Sequence, residues 1–259
     1  MNGSRDFNRR GWLLFAVLLL LWEIGSRSSP KLQLYLPPVS QILITLGDLL
    51  RAGEIVKHLA TTLARFVEGY IFSAALAVTL GVLLGYFRFA HSLVEIVIEF
   101  LRPMPSVAII PVAVLMLGIG DAMIVAVTVY ASTWPVLINT IDGVRRIERT
   151  LIDTGRTFGL SGRQTLWRVI LPAASPTIVT GLRVSLSIAL ILVTTAEMVI
   201  GSRGLGFFIL DQERSMNGAA MYAGIVLVAL LGYALNRIFL MFESRAMRWS
   251  NAMSARESL

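Results

Sequence analysis

Across its 259 residues the chain is 56% hydrophobic and 15% charged, below the roughly 25% charge of ordinary soluble domains, and its mean hydropathy is +0.73. That composition belongs to a membrane protein, and at about 20 residues per crossing it leaves room for five or six spans but not ten. There is no Cys and there are two His, which excludes Cys-ligated metals, disulfides and multi-His zinc sites; neither lysine, Lys31 or Lys57, closes a G-x-x-x-x-G-K-[ST] loop, so any ATP used is hydrolysed on another chain.

The first apolar run, Gly11 to Trp22, must extend past Glu23 to span. A cleaved signal peptide is the competing reading, and no A-x-A-like site follows Trp22 to support it. Between Arg27 and His58 lies a long connection with Pro37 and Pro38, then Val39, Ile42, Leu43, Leu46, Leu49 and Leu50. Their spacing predicts an amphipathic helix flat on the membrane surface. Arg65 and Glu68, at i, i+3, read as a local ion pair. Gly69 to Phe87 carries no charge and predicts a span, and Gly81 and Gly85 within it permit close helix approach inside the bundle.

Leu93 to Leu117 holds Glu95, Glu99 and Arg102 on one face, then Pro103, Pro105 and Pro111, which predicts a bent or broken helix. Broken helices often line solute paths, because freed backbone groups need a polar cavity. Pro103, Met104, Pro105 and Ser106 are therefore candidates for the translocation path, against the plainer reading of a kink that packs a neighbour. Met123 to Ile141 is a second charge-free span. After it, Gly143 to Leu171 carries six arginines against Glu148 and Asp153 and reads as a helical loop in water whose apolar face needs a cover.

Ser175 to Ile200 is a span with Arg183 and Glu197 near its ends. Fourteen residues, about 21 Å at 1.5 Å per residue, keep those two apart. Arg183 reads as a snorkelling anchor. Glu197, ionisable within a span, is either part of the path or the partner of a neighbouring arginine. Ala219 to Asn236, extended past Arg237, is the last span, and His58 and His91 read as ordinary interfacial residues. With the amino end in the cytoplasm, inner connections hold thirteen of the 23 basic residues, Arg5, Arg248 and Arg256 among them, and outer ones six. This places both termini inside. The net charge of +7 is thus a topology signal, with no nucleic-acid partner implied.

Asp153-Thr154-Gly155-Arg156-Thr157-Phe158-Gly159, followed by Leu160 and, after nine residues, Val169-Ile-Leu171-Pro172, resembles the signature E-A-A, three residues, G, nine residues, I-x-L-P of ATP-binding-cassette importer permeases. The glycine and the Leu-Pro end match; Asp153 stands for the usual Glu, and Thr154 and Gly155 for the alanines. Further pieces, Leu36-Pro37-Pro38-Val-Ser40, His58-Leu-Ala-Thr-Thr-Leu-Ala-Arg65, Arg102-Pro-Met-Pro105 and Arg203-Gly-Leu-Gly206, look like the nitrate, taurine and alkanesulfonate branch. The resemblance implies an all-α, type I importer-like bundle of about six transmembrane helices, one permease domain over 1–259 with a core at about 55–242 and a coupling loop at 143–171. It implies that Asp153 to Leu160 form a coupling helix docking on an ABC ATPase subunit that binds ATP and Mg, with no cofactor in this chain. A second permease, as a homodimer or as a pseudo-dimer with a similar chain, an extracytoplasmic substrate-binding protein and a bacterial inner-membrane location follow from the same likeness.

The function expected is import of a small solute, a sulfonate-, taurine- or nitrate-like anion, by alternating access driven by separate ATPases. The chain is not itself expected to be an enzyme, since no H-E-x-x-H, no G-x-S-x-G and no convergent acid–base set occurs. The alternatives are an ion-gradient-driven secondary transporter, for which inverted repeats would be expected and none is found, and the same importer class carrying a neutral heterocycle such as a vitamin precursor.

Overall fold

The computed structural model describes residues 9–247, and every regular element among them is helical. Arg5, Arg248 and Arg256, and with them both chain ends, lie outside the described residues. In chain order the helices begin with α1 (Arg9–Arg27), the short α2 (Pro30–Tyr35), α3 (Val39–Ala52) and α4 (Glu54–Tyr86). Next come α5 (Arg88–Leu101), a 3₁₀ turn at Ser106–Ile109, α6 (Ile110–Leu117) and α7 (Asp121–Arg145). The loop helices are α8 (Arg149–Thr157) and α9 (Gly162–Thr165), and a π turn at Leu166–Ile170 leads into α10 (Leu171–Ile200), α11 (Leu205–Arg214) and α12 (Gly218–Ala246).

Four of these are long and apolar enough to cross a membrane: α4, α7, the continuous helix Gly162–Ile200, and α12. Both charge-free runs thus lie inside long helices, as expected. The proline-rich segment is broken as predicted, with α5 meeting the following helical stretch at 93°. Pro105 removes the N–H that would have bonded the carbonyl of Leu101. That carbonyl instead accepts from Tyr130 Oη of α7 at 2.9 Å and from the Met104 N–H at 3.2 Å. The freed backbone group is therefore satisfied within the protein, as a membrane interior requires.

Glycine determines how the core packs. A Cβ on Gly69, Gly81 or Gly85 of α4 would lie 2.8, 2.5 and 2.7 Å from side-chain carbons of Thr128, Thr140 and Val144 of α7. The same offset along the chain separates each pair, so α4 and α7 run parallel in one fixed register at backbone contact. On the other side of α7, Gly181 of α10 sits against Pro135 and Asn139, and Gly143 against Ala174 and Thr177 of α10, an antiparallel fit. The G-x-x-x-G pair thus serves packing within the bundle. Because α4 and α7 are parallel, the bent α5–α6 pair must carry the chain back from one end of the bundle to the other and counts as a fifth crossing.

At 19 residues, α1 is about 28 Å long, close to the roughly 30 Å hydrocarbon thickness, and supplies a sixth apolar helix. Its end is fastened: Trp22 Nε1 donates to the Pro37 carbonyl at 3.1 Å, Ser26 Oγ to that of Leu36 at 2.5 Å, and Glu23 accepts from Ser40 N at 3.1 Å. The Leu36-Pro37-Pro38-Val-Ser40 stretch is thereby the seat of α1. The amphipathic helix is α3, with Ile42 and Leu46 buried against Leu205, Phe208, Ala223 and Leu227. It lies on the bundle as well as beside the membrane.

Candidate functional site

The two ends of the bundle differ in chemistry. At the end holding the α3–α4 junction and the α10–α11 connection, His58, Thr62 and Arg65 occupy one face of α4 at i, i+4 and i+7. Thr62 and Arg65 reach Glu197 near the end of α10, whose side chain is fully buried, and His58 reaches the loop beyond it. Arg65 Nη1 donates to Glu197 Oε1 at 2.8 Å and to the Arg203 carbonyl at 2.8 Å. Arg65 Nε reaches Asp121 Oδ1 at 2.9 Å, and Nη2 forks onto the same carboxylate. Thr62 Oγ1 donates to Glu197 Oε2 at 2.8 Å while accepting the Leu205 N–H at 2.7 Å. The Gly206 N–H adds a third bond to Glu197, at 3.0 Å.

The glycines of Arg203-Gly-Leu-Gly206 are explained by this contact. At Gly204 φ is +108° and a Cβ would meet the Glu197 carboxylate; at Gly206 it would meet the carbonyl of Thr194. Only a chain without side chains at these two points passes close enough for the Gly206 N–H to reach the buried carboxylate. His58 Nδ1 lies 3.1 Å from both the N and the O of Gly204, bonding one or the other according to its tautomer. One clamp therefore joins α4, the start of α7, the end of α10 and the loop before α11.

Two sequence expectations are corrected here. Arg65 does not pair with Glu68: its guanidinium is turned inward and held by Asp121, Glu197 and the Arg203 carbonyl, and Glu68 is left exposed. His58 is not an ordinary interfacial residue, because it holds the loop at Gly204. Spacing along one helix proposed the wrong partner since the right ones lie 56 and 132 positions away. Three polar residues on one face of α4, set against a lone carboxylate in an otherwise apolar span, were the available signal. Glu197 itself has its carboxylate closed off by the clamp, whereas Pro103, Met104 and Pro105 stand exposed at the elbow and Ser106 is half-buried. A cavity of about 410 Å³ adjoins the clamp, lined by Thr61, Arg65, Glu68, Asp121, Ser202 and Arg203.

At the opposite end the α7–α10 connection projects as α8. Gly159, at φ +77°, ends it in a left-handed turn. Its N–H bonds the Arg156 carbonyl at 2.9 Å and the Leu160 N–H bonds that of Gly155 at 3.1 Å, the paired bonds of a Schellman cap. Two residues on, Ser161 and Gln164 form a reciprocal capping box that starts α9. Inside the turn Gly155 is buried, a Cβ there lying 3.4 Å from Leu160 and 3.5 Å from Val169. Asp153, Thr154, Arg156 and Thr157 face outward, Phe158 is 82% exposed and Leu151 48%. Pro172 follows a helix already ten residues long, and the π turn at Leu166–Ile170 absorbs the bond its missing N–H leaves unmade. Pro172 thus lies within a continuing helix, and Leu171 beside it is half-buried.

Residues 77–248 match the family model of the binding-protein-dependent transport system inner membrane component. The chain belongs to that family. A Methanocaldococcus jannaschii protein named for an ABC transporter permease is 31% identical over 242 residues, 92% of this chain and 91% of that one. The Escherichia coli taurine transport system permease protein TauC is 29% identical over 90% of this chain and 87% of its own, and the Synechocystis nitrate import permease protein NrtB 29% over 88% and 86%. In fold, the chain superposes on the MetNI methionine ABC transporter in an inward-facing conformation with a TM-score of 0.62, at 21% identity, over 73% of this chain and 94% of that one. It is an ABC importer permease, a membrane-spanning component of a binding-protein-dependent system, and family members of this kind are transporter components, not enzymes.

Proposed function

We propose that this permease imports a small sulfonate-like solute, and that α8 is the coupling helix through which a separate ATPase drives it. The observation that carries the coupling role is α8 itself: a two-turn helix, capped at Gly159, with Phe158 and Leu151 presented to solvent. An exposed aromatic on a rigidly capped projection is what a partner groove takes up. On this reading the arginine-rich end faces the cytoplasm, ATP and Mg are bound by the ATPase, a second permease copy completes the pathway, and a substrate-binding protein delivers solute at the clamp end. The broken segment Pro103 to Ser106 and the clamp around Glu197 border the solute path.

The cavity beside the clamp supports a narrower choice. Glu68, the exposed Asp121 and Arg203 give it both signs of charge. A zwitterion such as taurine matches that better than a bare anion such as nitrate, which would leave Glu68 uncompensated, Asp121 being already paired with Arg65. The test is uptake of labelled taurine and nitrate by cells or vesicles holding the permease with its ATPase and binding protein. ATP-dependent uptake of taurine, insensitive to a protonophore, is expected. Uptake that survives ATP depletion and collapses with the proton gradient would make the chain a secondary transporter.

A further inference from the structure

At the root of α8 lies a cavity of about 360 Å³ whose rim is four arginines drawn from three elements. Arg88 is the first residue of α5, Arg145 the last of α7, and Arg149 and Arg156 stand at i, i+7 on α8. The floor is apolar, formed in part by Val144 and Ile170, both buried, and among the described residues no carboxylate lines it. Among the described residues the one ion pair any of the four makes is Arg156 with Asp153, at 3.6 Å with both side chains about two-thirds exposed. Like charges crowded at the edge of an apolar pocket repel one another and raise the local potential, which an anion relieves. Guanidinium groups present forked donors that fit the oxygens of a phosphate. The cavity also sits where α4 and α7 end, at the depth of lipid headgroups if α8 lies in the cytoplasm, and basic pockets between span ends there suit anionic headgroups.

We propose that this cavity is a phosphate-binding site that ties the root of the coupling helix to the inner ends of α5 and α7. The phosphate is supplied by an anionic phospholipid headgroup or by free phosphate. The site rests on the proposed function for its sidedness only; its chemistry needs neither solute nor ATP. Binding braces α8 against the spans it is to move.

The test uses the purified full chain in phosphatidylcholine nanodiscs, with phosphatidylglycerol mixed in or with inorganic phosphate added, read by thermal unfolding and by native mass spectrometry of retained lipid. Stabilisation and retention with phosphatidylglycerol alone assign the lipid. Equal stabilisation by inorganic phosphate assigns the soluble anion. In either case Arg145→Gln with Arg149→Gln is expected to weaken binding about fivefold per arginine and roughly twenty-five-fold together, and Arg88→Gln with Arg156→Gln to do the same. Arg214→Gln, in α11, leaves it unchanged. All four side chains are exposed, so neither pair of changes removes packing. Binding that is equal in both double variants and the original chain, or absent with both probes, overturns the proposal. So does binding that disappears once the ATPase is attached, which would give the arginines to an acidic surface of that partner. Because no transport is measured, failure here leaves the importer reading standing, and failure of ATP-driven uptake leaves this site standing.

Discussion

Glu197 is a buried charge whose cationic partner is Arg65, while Arg65 pairs with both Glu197 and Asp121, and a buried charge left without its partner costs far more than the pair contributes. Arg65→Ala, which leaves Glu197 without a cation, is expected to destabilise the protein by about 3–5 kcal/mol, read as a fall in unfolding temperature in detergent, and Glu197→Ala by less, because Arg65 keeps Asp121. The double change should cost less than the sum, because neither charge is then left alone; strict additivity would argue against a coupled clamp. Gly206→Ala, whose methyl would meet the carbonyl of Thr194 and the Glu197 side chain, should cost about 1–3 kcal/mol as overpacking. At this scale the sequence supplied the participants without the pairings. His58, Thr62, Arg65 and the Arg203 to Gly206 stretch were each visible, yet a clamp joining positions more than a hundred residues apart leaves no periodic trace in either segment.

Among the elements, α8 is an exposed helix closed by a paired-bond cap. A Cβ at Gly159 meets nothing within 4 Å, so its substitution acts through the backbone alone. Gly159→Val is expected to cost about 1–2 kcal/mol at the left-handed position and to misdirect α8, separating ATP hydrolysis from uptake while the chain remains in the membrane; Gly159→Asn should retain much of the coupling, since Asn tolerates that conformation. Uptake by the valine variant at the original rate per ATP would argue against α8 as the coupling helix. Phe158→Ala should leave the unfolding temperature where it is and weaken capture of the ATPase subunit, as an exposed anchor does. The helix itself and its glycine stop were readable from the run of letters around Asp153 to Gly159, and so was the break at Pro103 and Pro105. The π turn before Leu171 was not, because Pro172 announces a disturbance without saying whether the helix begins there or bulges to continue.

For the whole molecule the number of apolar runs and their lengths already implied the bundle, since each run had to match the bilayer. Which helices touch could be read only where glycines fell in step. The absence of native cysteine makes sidedness directly measurable: Thr154→Cys is expected to react with a membrane-impermeant maleimide only after the cytoplasmic face is opened, and Ser202→Cys from outside in intact cells. The reverse pattern would invert the topology and take the ATPase role from α8. One further consequence lies in the glycine contacts of α7. Helices kept apart by long side chains can slide as those chains exchange rotamers, but α7 touches α4 on one flank and α10 on the other with almost no such cushion. The three form a slab without a shear plane. A push delivered beside Arg145 therefore has the 25 residues of α7, about 37 Å, to travel before Asp121, and Pro135, where the helix loses one of its own hydrogen bonds, is backed by Gly181 of α10 packed on it.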